Sequence, residues 1–282
     1  MDASTPTMTK RMEALGIEST EDSRRDFREL LVTTQGLGEY ISGAILYDET
    51  IHQKLSNGKT FVGALEAAGI IPGIKTDKGL VDFPNFPEEK LSQGLDELPK
   101  RLEEYKNLGA KFTKFRTVVT IGKDIPTRIS MEDNAAVQAL QVAMTQAVGL
   151  LPIIEPEVLM AGDHTMERCE EVTRTNLKMI FVKLKDHKVD LSRVILKTNM
   201  IMPGDKSEQK HSNEEIAVST IRVLKECVPA EVPGVVFLSG GDSAVDITKH
   251  LDAITQNEAS LPWNITFSFE RALEGPAMEA WK

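Results

Sequence analysis

Phe112-Thr-Lys-Phe-Arg-Thr-Val-Val-Thr-Ile121, then Asp133 to Val148, then Gly149-Leu-Leu-Pro-Ile-Ile-Glu-Pro-Glu157 is the stretch whose pattern decides the fold. An apolar, β-rich run is followed by a helical pattern that stops at a glycine, and a second apolar run follows at once. The alternation continues outward. Further apolar runs stand at Ser42–Tyr47, Ile70–Ile74, Arg193–Leu196, Gly234–Leu238 and Asn264–Phe267, seven in all with Phe112–Ile121 and Leu150–Ile154. Helix signals lie between them. Ser19 with Asp22 and Ser212 with Glu215 have capping-box spacing. Asp96 opens a segment with Pro99 in its first turn and Gly109 as its stop, and Asp163 opens a long helix running to about Lys185. Strand alternating with helix predicts an α/β fold, a parallel sheet covered by helices. An open doubly wound sheet and a closed barrel both fit. Val81–Glu89, with Pro84 and Pro87, reads as a loop. No linker, low-complexity stretch or repeat divides the chain, so residues 1–282 read as a single domain.

Composition narrows the function. A net charge of -10 argues against nucleic-acid or acidic-membrane partners, so an anionic substrate needs a local basic pocket. The two cysteines, Cys169 and Cys227, have no metal or redox spacing and fit a reducing compartment. The histidines at 52, 164, 187, 211 and 250 form no HxH or HxxxH pair, so no metal site is expected. No segment reads as a membrane span or a signal peptide, which predicts a cytoplasmic protein; a plastid address removed beforehand is the alternative.

The informative residues are charges at the ends of apolar strands. Alternate strand residues share a face. Lys114 and Arg116 therefore lie on one face of Phe112–Val119, with Phe115 on the other. Glu155 and Glu157 pair in the same way across Pro156, Lys197 and Asn199 follow Val194–Leu196, and Lys75 precedes Asp77 by two. One charged strand end is ordinary; four alike, at the ends where α/β folds place their sites, predict a crowded polar centre. A lysine among other cations, partly desolvated, becomes a nucleophilic amine that can form an imine with a carbonyl. A glutamate beside it can move protons. The pattern does not select which lysine is the nucleophile. Gly234-Val-Val-Phe-Leu-Ser-Gly-Gly-Asp-Ser243 runs from a strand through glycines into a helix. That could cradle a phosphate, or be a plain strand-to-helix turn. Arg271 falls near the next strand end.

Taken in order, these motifs resemble class I fructose-1,6-bisphosphate aldolases along almost the whole chain. The matching stretches are Met1-Asp-Ala-Ser-Thr5, Thr20-Glu-Asp-Ser-Arg-Arg25, Gly73-Ile-Lys-Thr-Asp-Lys-Gly79, Gln93-Gly-Leu-Asp96, Lys114-Phe-Arg116 and Glu155-Pro-Glu157. Leu196-Lys-Thr-Asn-Met200, Phe237-Leu-Ser-Gly-Gly241 and Thr266-Phe-Ser-Phe-Glu-Arg271 complete the series. The resemblance implies a (β/α)8 barrel that needs no cofactor, since the intermediate is a covalent Schiff base with a lysine. It implies that Lys197 forms that Schiff base, with Glu155 as general acid and base and Glu157 beside it. Lys114 would help carbinolamine turnover, and Asp2 would orient the substrate hydroxyl. Lys75 and Arg116 would contact substrate. Ser239, Gly240, Gly241 and Arg271 would hold one phosphate, with Ser268 nearby; Thr7 and Arg11 fall where the family contacts the other phosphate, and Arg24 is a further substrate contact. The family is commonly tetrameric, which implies a homo-oligomer acting on a sugar phosphate.

Several departures set expectations. The family's first barrel strand, just before the segment matching Asp2, has no counterpart, which accounts for seven runs rather than eight. A C-terminal tail ending in a tyrosine has none either, so the chain reads as cut short at both ends. Glu270 stands where a glycine is usual, and Thr198 where a proline is usual. Two other readings are a non-catalytic barrel and a Schiff-base aldolase for a different ketose phosphate.

Overall fold

A computed structural model describes residues 1–257 and 261–282. Seven strands form one parallel sheet: β1 (Gly43–Leu46), β2 (Ile71–Lys75), β5 (Phe112–Val119), β6 (Leu151–Val158), β7 (Ile195–Thr198), β8 (Gly234–Phe237) and β9 (Asn264–Phe267). Their order in the sheet is β1-β2-β5-β6-β7-β8-β9, and every adjacent pair is parallel. This is the strand sequence of a (β/α)8 barrel lacking one strand. Among the described residues β1 and β9 share no ladder, so the row ends at both instead of closing on itself.

Two helices precede the first strand, and the others follow strands along the chain. They are α1 (Thr5–Ala14), α2 (Glu21–Thr33), α3 (Asp48–His52), α4 (Phe61–Ala67), α5 (Leu98–Asn107), α6 (Arg128–Val148), α7 (Met166–Asp186), α8 (Asn213–Cys227), α9 (Ala244–Thr255) and α10 (Arg271–Trp281). The largest apolar cluster lies between the later strands and α6 to α9, and includes Ile154, Leu196, Val235, Leu177 and Ile247. A second joins α2 to α5 with β1 and β2 through Leu46, Ile74, Phe61 and Tyr105. A third joins α1 and α2 to α10 through Met8, Met12, Phe27 and Met278. Apolar residues thus fill the space between sheet and helices and leave the opposite sheet face free for polar groups.

Four boundaries differ from the sequence reading. The capping box of α2 is made by Thr20 and Ser23, one residue after the expected Ser19–Asp22 pair, because Ser19 Oγ is turned to Thr9 Oγ1 at 2.8 Å. Helix α6 begins at Arg128, five residues before Asp133. Thr127 caps it, and buried Glu89 in turn accepts from the Thr127 N–H at 2.8 Å and hydroxyl at 2.6 Å. Helix α7 starts after Thr165 rather than at Asp163. The Val81–Glu89 segment is not all loop. Leu80–Asp82 (β3) pairs antiparallel with Lys90–Ser92 (β4), and Phe83 and Phe86 stack at 4.6 Å in the turn between them. The prolines lie in that turn, outside the ladder, so they do not interrupt the pairing.

Candidate active site

The sheet's polar face converges on Lys114. Lys75 and Lys114 are register partners on β2 and β5, and Arg116 is opposite Glu155 on β5 and β6. Because the charges sit within the strands, not after them, the strands are longer than their apolar runs suggested. Strand β6 continues through Glu155, Pro156 and Glu157 to Val158. Charges buried on this face are tolerated only when they are paired.

The pairing is dense. Lys114 Nζ lies 2.6 Å from Asp2 Oδ2, 3.0 Å from Glu155 Oε2 and 3.8 Å from Asp77 Oδ2. The other Glu155 oxygen, Oε1, lies 3.0 Å from Lys197 Nζ. Lys75 Nζ is 3.3 Å from Asp77 Oδ1, and Arg116 Nε is 2.5 Å from Glu157 Oε2. Asp2, Asp77, Lys114, Glu155, Glu157 and Lys197 are all buried. Four carboxylates thus meet four basic side chains in one enclosed space.

Burial alone would raise the carboxyls of Asp2 and Glu155. The charges of Lys114 and Lys197 outweigh it and hold both below the usual carboxylate range. Burial would likewise discharge Lys114, but Asp2, Glu155 and Asp77 raise it well above an ordinary lysine, so it is a fixed cation. Burial also opposes the charge on Arg116, and Glu157 overcomes it and pushes the guanidinium up. Lys197 therefore stands one carboxylate away from a permanent positive charge, with Glu155 bridging the two amines.

The Ser239–Gly241 turn follows β8, and Arg271 opens α10 after β9. Gly240 and Gly241 have φ of +62° and +107°. A Cβ on Gly241 would lie 2.8 Å from Arg271 Nη1, so the guanidinium rests on this turn and the two come together as expected. The Ser239 and Gly240 N–H groups are donated to no acceptor among the described residues. Free N–H groups, a guanidinium and a helix N-terminus form an anion-binding corner. Ser268 is close to it in the chain, and its N–H is bonded to the Phe237 carbonyl at 2.8 Å.

Three expected contacts have different surroundings. The negative charge of Glu270, which would oppose a phosphate, is taken up by Arg11, at 3.0 and 3.2 Å through both oxygens. Arg11 is thereby tied to the segment that carries Arg271. Thr7 is exposed, with its hydroxyl 3.0 Å from that of Ser4. Arg24 is clamped by Glu49 at 3.0 and 2.6 Å and reaches the Ser19 carbonyl at 3.3 Å.

Sequence reasoning gave no role to three residues that the structure makes central. Asp77 accepts the Gly79 and Arg116 N–H groups at 3.3 and 3.2 Å while facing Lys75 and Lys114. Its strand alternation with Lys75 was the available signal. Arg28, fully buried, donates to the Ala3 carbonyl at 2.8 Å and to Glu49 at 2.9 Å, which fixes the segment holding Asp2. Glu49 receives both Arg24 and Arg28. The four-residue spacing of those two arginines was legible as one helix face, but their shared carboxylate belongs to a distant helix. Among the described residues no group of histidine, cysteine or carboxylate side chains has the arrangement of a metal site. Among the described residues no helix is long and apolar enough to cross a membrane.

Comparison with known proteins agrees with this geometry. The family model for fructose-bisphosphate aldolase class-I matches residues 1–282. The chain is 47% identical over 281 residues to the probable fructose-bisphosphate aldolase class 1 of Xanthomonas campestris pv. campestris, covering 100% of this chain and 84% of the relative. It is 44% identical over 280 residues to cytosolic fructose-bisphosphate aldolase 4 of Arabidopsis thaliana, covering 99% and 71%. It is 43% identical over 282 residues to the chloroplastic fructose-bisphosphate aldolase 1 of Chlamydomonas reinhardtii, covering 100% and 74%. Among solved structures, the fructose-bisphosphate aldolase of Plasmodium falciparum, in complex with TRAP and a small-molecule inhibitor, superposes with a TM-score of 0.97. It is 41% identical, and the match covers 99% of this chain and 81% of that one.

Proposed function

The chain belongs to the class I fructose-bisphosphate aldolase family, and from that premise we propose that Lys197 is the amine that carries its reaction. The reaction is the reversible, metal-independent cleavage of fructose 1,6-bisphosphate to dihydroxyacetone phosphate and glyceraldehyde 3-phosphate, a glycolytic lyase activity. The observation that carries the assignment is the Glu155 carboxylate, 3.0 Å from both Lys197 and Lys114 in a buried site. Lys75 and Lys114 are each paired with carboxylates of their own, whereas among the described residues Lys197 has only Glu155 as an ion-pair partner.

The unprotonated Lys197 amine attacks the C2 carbonyl of the open-chain sugar. Glu155 takes and returns the proton that lets the carbinolamine lose water and become an iminium. The iminium withdraws electrons. When the C4 hydroxyl gives up its proton, its O–H pair forms the aldehyde, the C3–C4 bond breaks, and that bond's pair becomes the enamine. Glyceraldehyde 3-phosphate leaves. A proton is then added at C3, and water releases dihydroxyacetone phosphate and the free lysine. Lys114 stabilises the negative charge that develops on oxygen, and Asp2 and Lys114 orient the hydroxyls. Glu157 keeps Arg116 extended towards the substrate. Lys75 adds positive charge, and Ser239, Gly240, Gly241 and Arg271 take one phosphate. Thr7 and Arg11 would take the second phosphate, and Arg24 would be a further substrate contact. We read residues 1–282 as one domain, acting as a homo-oligomer in the cytoplasm.

Borohydride reduction in the presence of dihydroxyacetone phosphate tests the assignment. The expected product is a stable adduct on the peptide carrying Lys197, absent from Lys197→Ala. An adduct mapped to Lys114 or Lys75 would overturn it.

A further inference from the structure

The turn that offers its N–H groups to a phosphate runs directly into a carboxylate, Asp242, and a negative charge there opposes the ligand. Two features of the structure answer that charge. Asp242 Oδ1 accepts the Ser243 N–H at 2.9 Å, where Ser243 caps α9. Asp242 Oδ2 lies 3.4 Å from Nε2 of His250, two turns further along the same helix. His250 is buried, and its other nitrogen, Nδ1, is buried without a partner among the described residues. Nε2 is the ring nitrogen that faces Asp242, and the ring's other carboxylate neighbour, Asp246, is held by Ser243 and Lys249.

We propose that His250 is a positioning residue for the phosphate turn: it holds the Asp242 carboxylate back against α9, so that Ser239, Gly240 and Arg271 present uncontested positive charge to the substrate. The geometry has a specific logic. Gly240 and Gly241 both take left-handed conformations and have no side chains to stiffen that half of the turn. A buried imidazole fixed to the residue immediately after the second glycine supplies that anchor. It also spreads the carboxylate's charge onto a ring behind the turn. Without it, Asp242, whose side chain is 25% exposed, is held only by the Ser243 N–H and can swing towards the space beside Arg271 and pair with that guanidinium in place of the phosphate. Arg271 has no ion-pair partner of its own among the described residues, so such a pairing would meet no competitor.

This inference rests on the reading that Ser239–Gly241 and Arg271 hold a substrate phosphate. Four variants separate the two: His250→Gln, Asp242→Asn, the double variant and Arg271→Ala. Each is assayed with fructose 1,6-bisphosphate for kcat and KM, and with inorganic phosphate as competitive inhibitor. His250→Gln is expected to raise KM and the phosphate inhibition constant about tenfold, with kcat within about twofold. Adding Asp242→Asn to it is expected to return both constants to near the wild-type value, since the charge that His250 restrains is then gone. A raised KM that the double variant fails to rescue makes His250 merely structural and overturns the proposal. So does an unchanged KM in His250→Gln when Arg271→Ala raises its own. If Arg271→Ala also leaves KM and phosphate inhibition unchanged, the phosphate reading itself fails and this inference falls with it.

Discussion

At the Nζ of Lys114, carboxylates from three separate parts of the chain meet: the N-terminal segment, the end of β2 and the middle of β6. Removing that one atom leaves Asp2 and Glu155 buried with a single lysine between them. Breaking a buried pair from one side costs about 3–5 kcal/mol. Lys114→Met is therefore expected to lose roughly that much stability in urea unfolding as well as turnover; a loss of turnover with unchanged stability would show that the cluster is less tightly coupled than its distances imply. The same atoms set the pH response. Asp2 and Glu155 have depressed folded values, so their stabilisation is fully present above about pH 4 and is lost as pH falls through those lower values. Lys114 is raised, so its share is fully present below about pH 10 and is lost only as pH rises through its higher folded value. Between those limits these three groups give a flat stability plateau. Below about pH 4 the urea midpoint of the wild type should fall faster than that of Glu155→Gln, which has no such proton to take up. Equal slopes would remove Glu155 from the account.

Elements are where reading from sequence succeeded and where it stopped. The strands were legible because apolar runs with period two are local facts, and Asn264–Phe267 matches its predicted span end for end. The length of β6 was not, because Glu155 and Glu157 look like a strand's end until a facing lysine makes their burial tolerable. Lys75, Lys114, Glu155 and Lys197 were identifiable as strand-borne charges. The Glu270–Arg11 grip was not, since it joins residues 259 positions apart. Helix starts slipped where a distant side chain decides the cap, as Glu89 does for α6. One close fit between elements is testable directly. A Cβ on Gly73 in β2 would lie 2.3 Å from the ring of Phe112 at the start of β5. Gly73→Ala should therefore force the ring aside and destabilise by about 1–3 kcal/mol, seen as a lower melting temperature. Pairing it with Phe112→Leu should recover part of the loss; no recovery would place the strain elsewhere.

Across the whole molecule the sheet has two ends, β1 and β9, each with one side unpaired by any strand. Unpaired edge amides open more readily than those in a ladder bonded on both sides. Hydrogen exchange should accordingly be faster in β1 and β9 than in β6 and β7, and uniform protection across all seven would mean that something else covers the edges. What brings the two ends of the row together is side-chain contact between the outer helices. Arg11 holds Glu270, Met8 and Met12 pack with Met278, and the Phe27 and Trp281 rings meet at 5.5 Å. During translation, α1 and α2 leave the ribosome with their apolar faces uncovered, and the helix that covers them, α10, follows only after all seven strands of the sheet. A nascent chain halted between β7 and α10 carries every carboxylate and lysine of the catalytic cluster, yet Asp2 rests on a segment still waiting for its other wall. Competence should arrive late and abruptly, once α10 has emerged, rather than gradually with length.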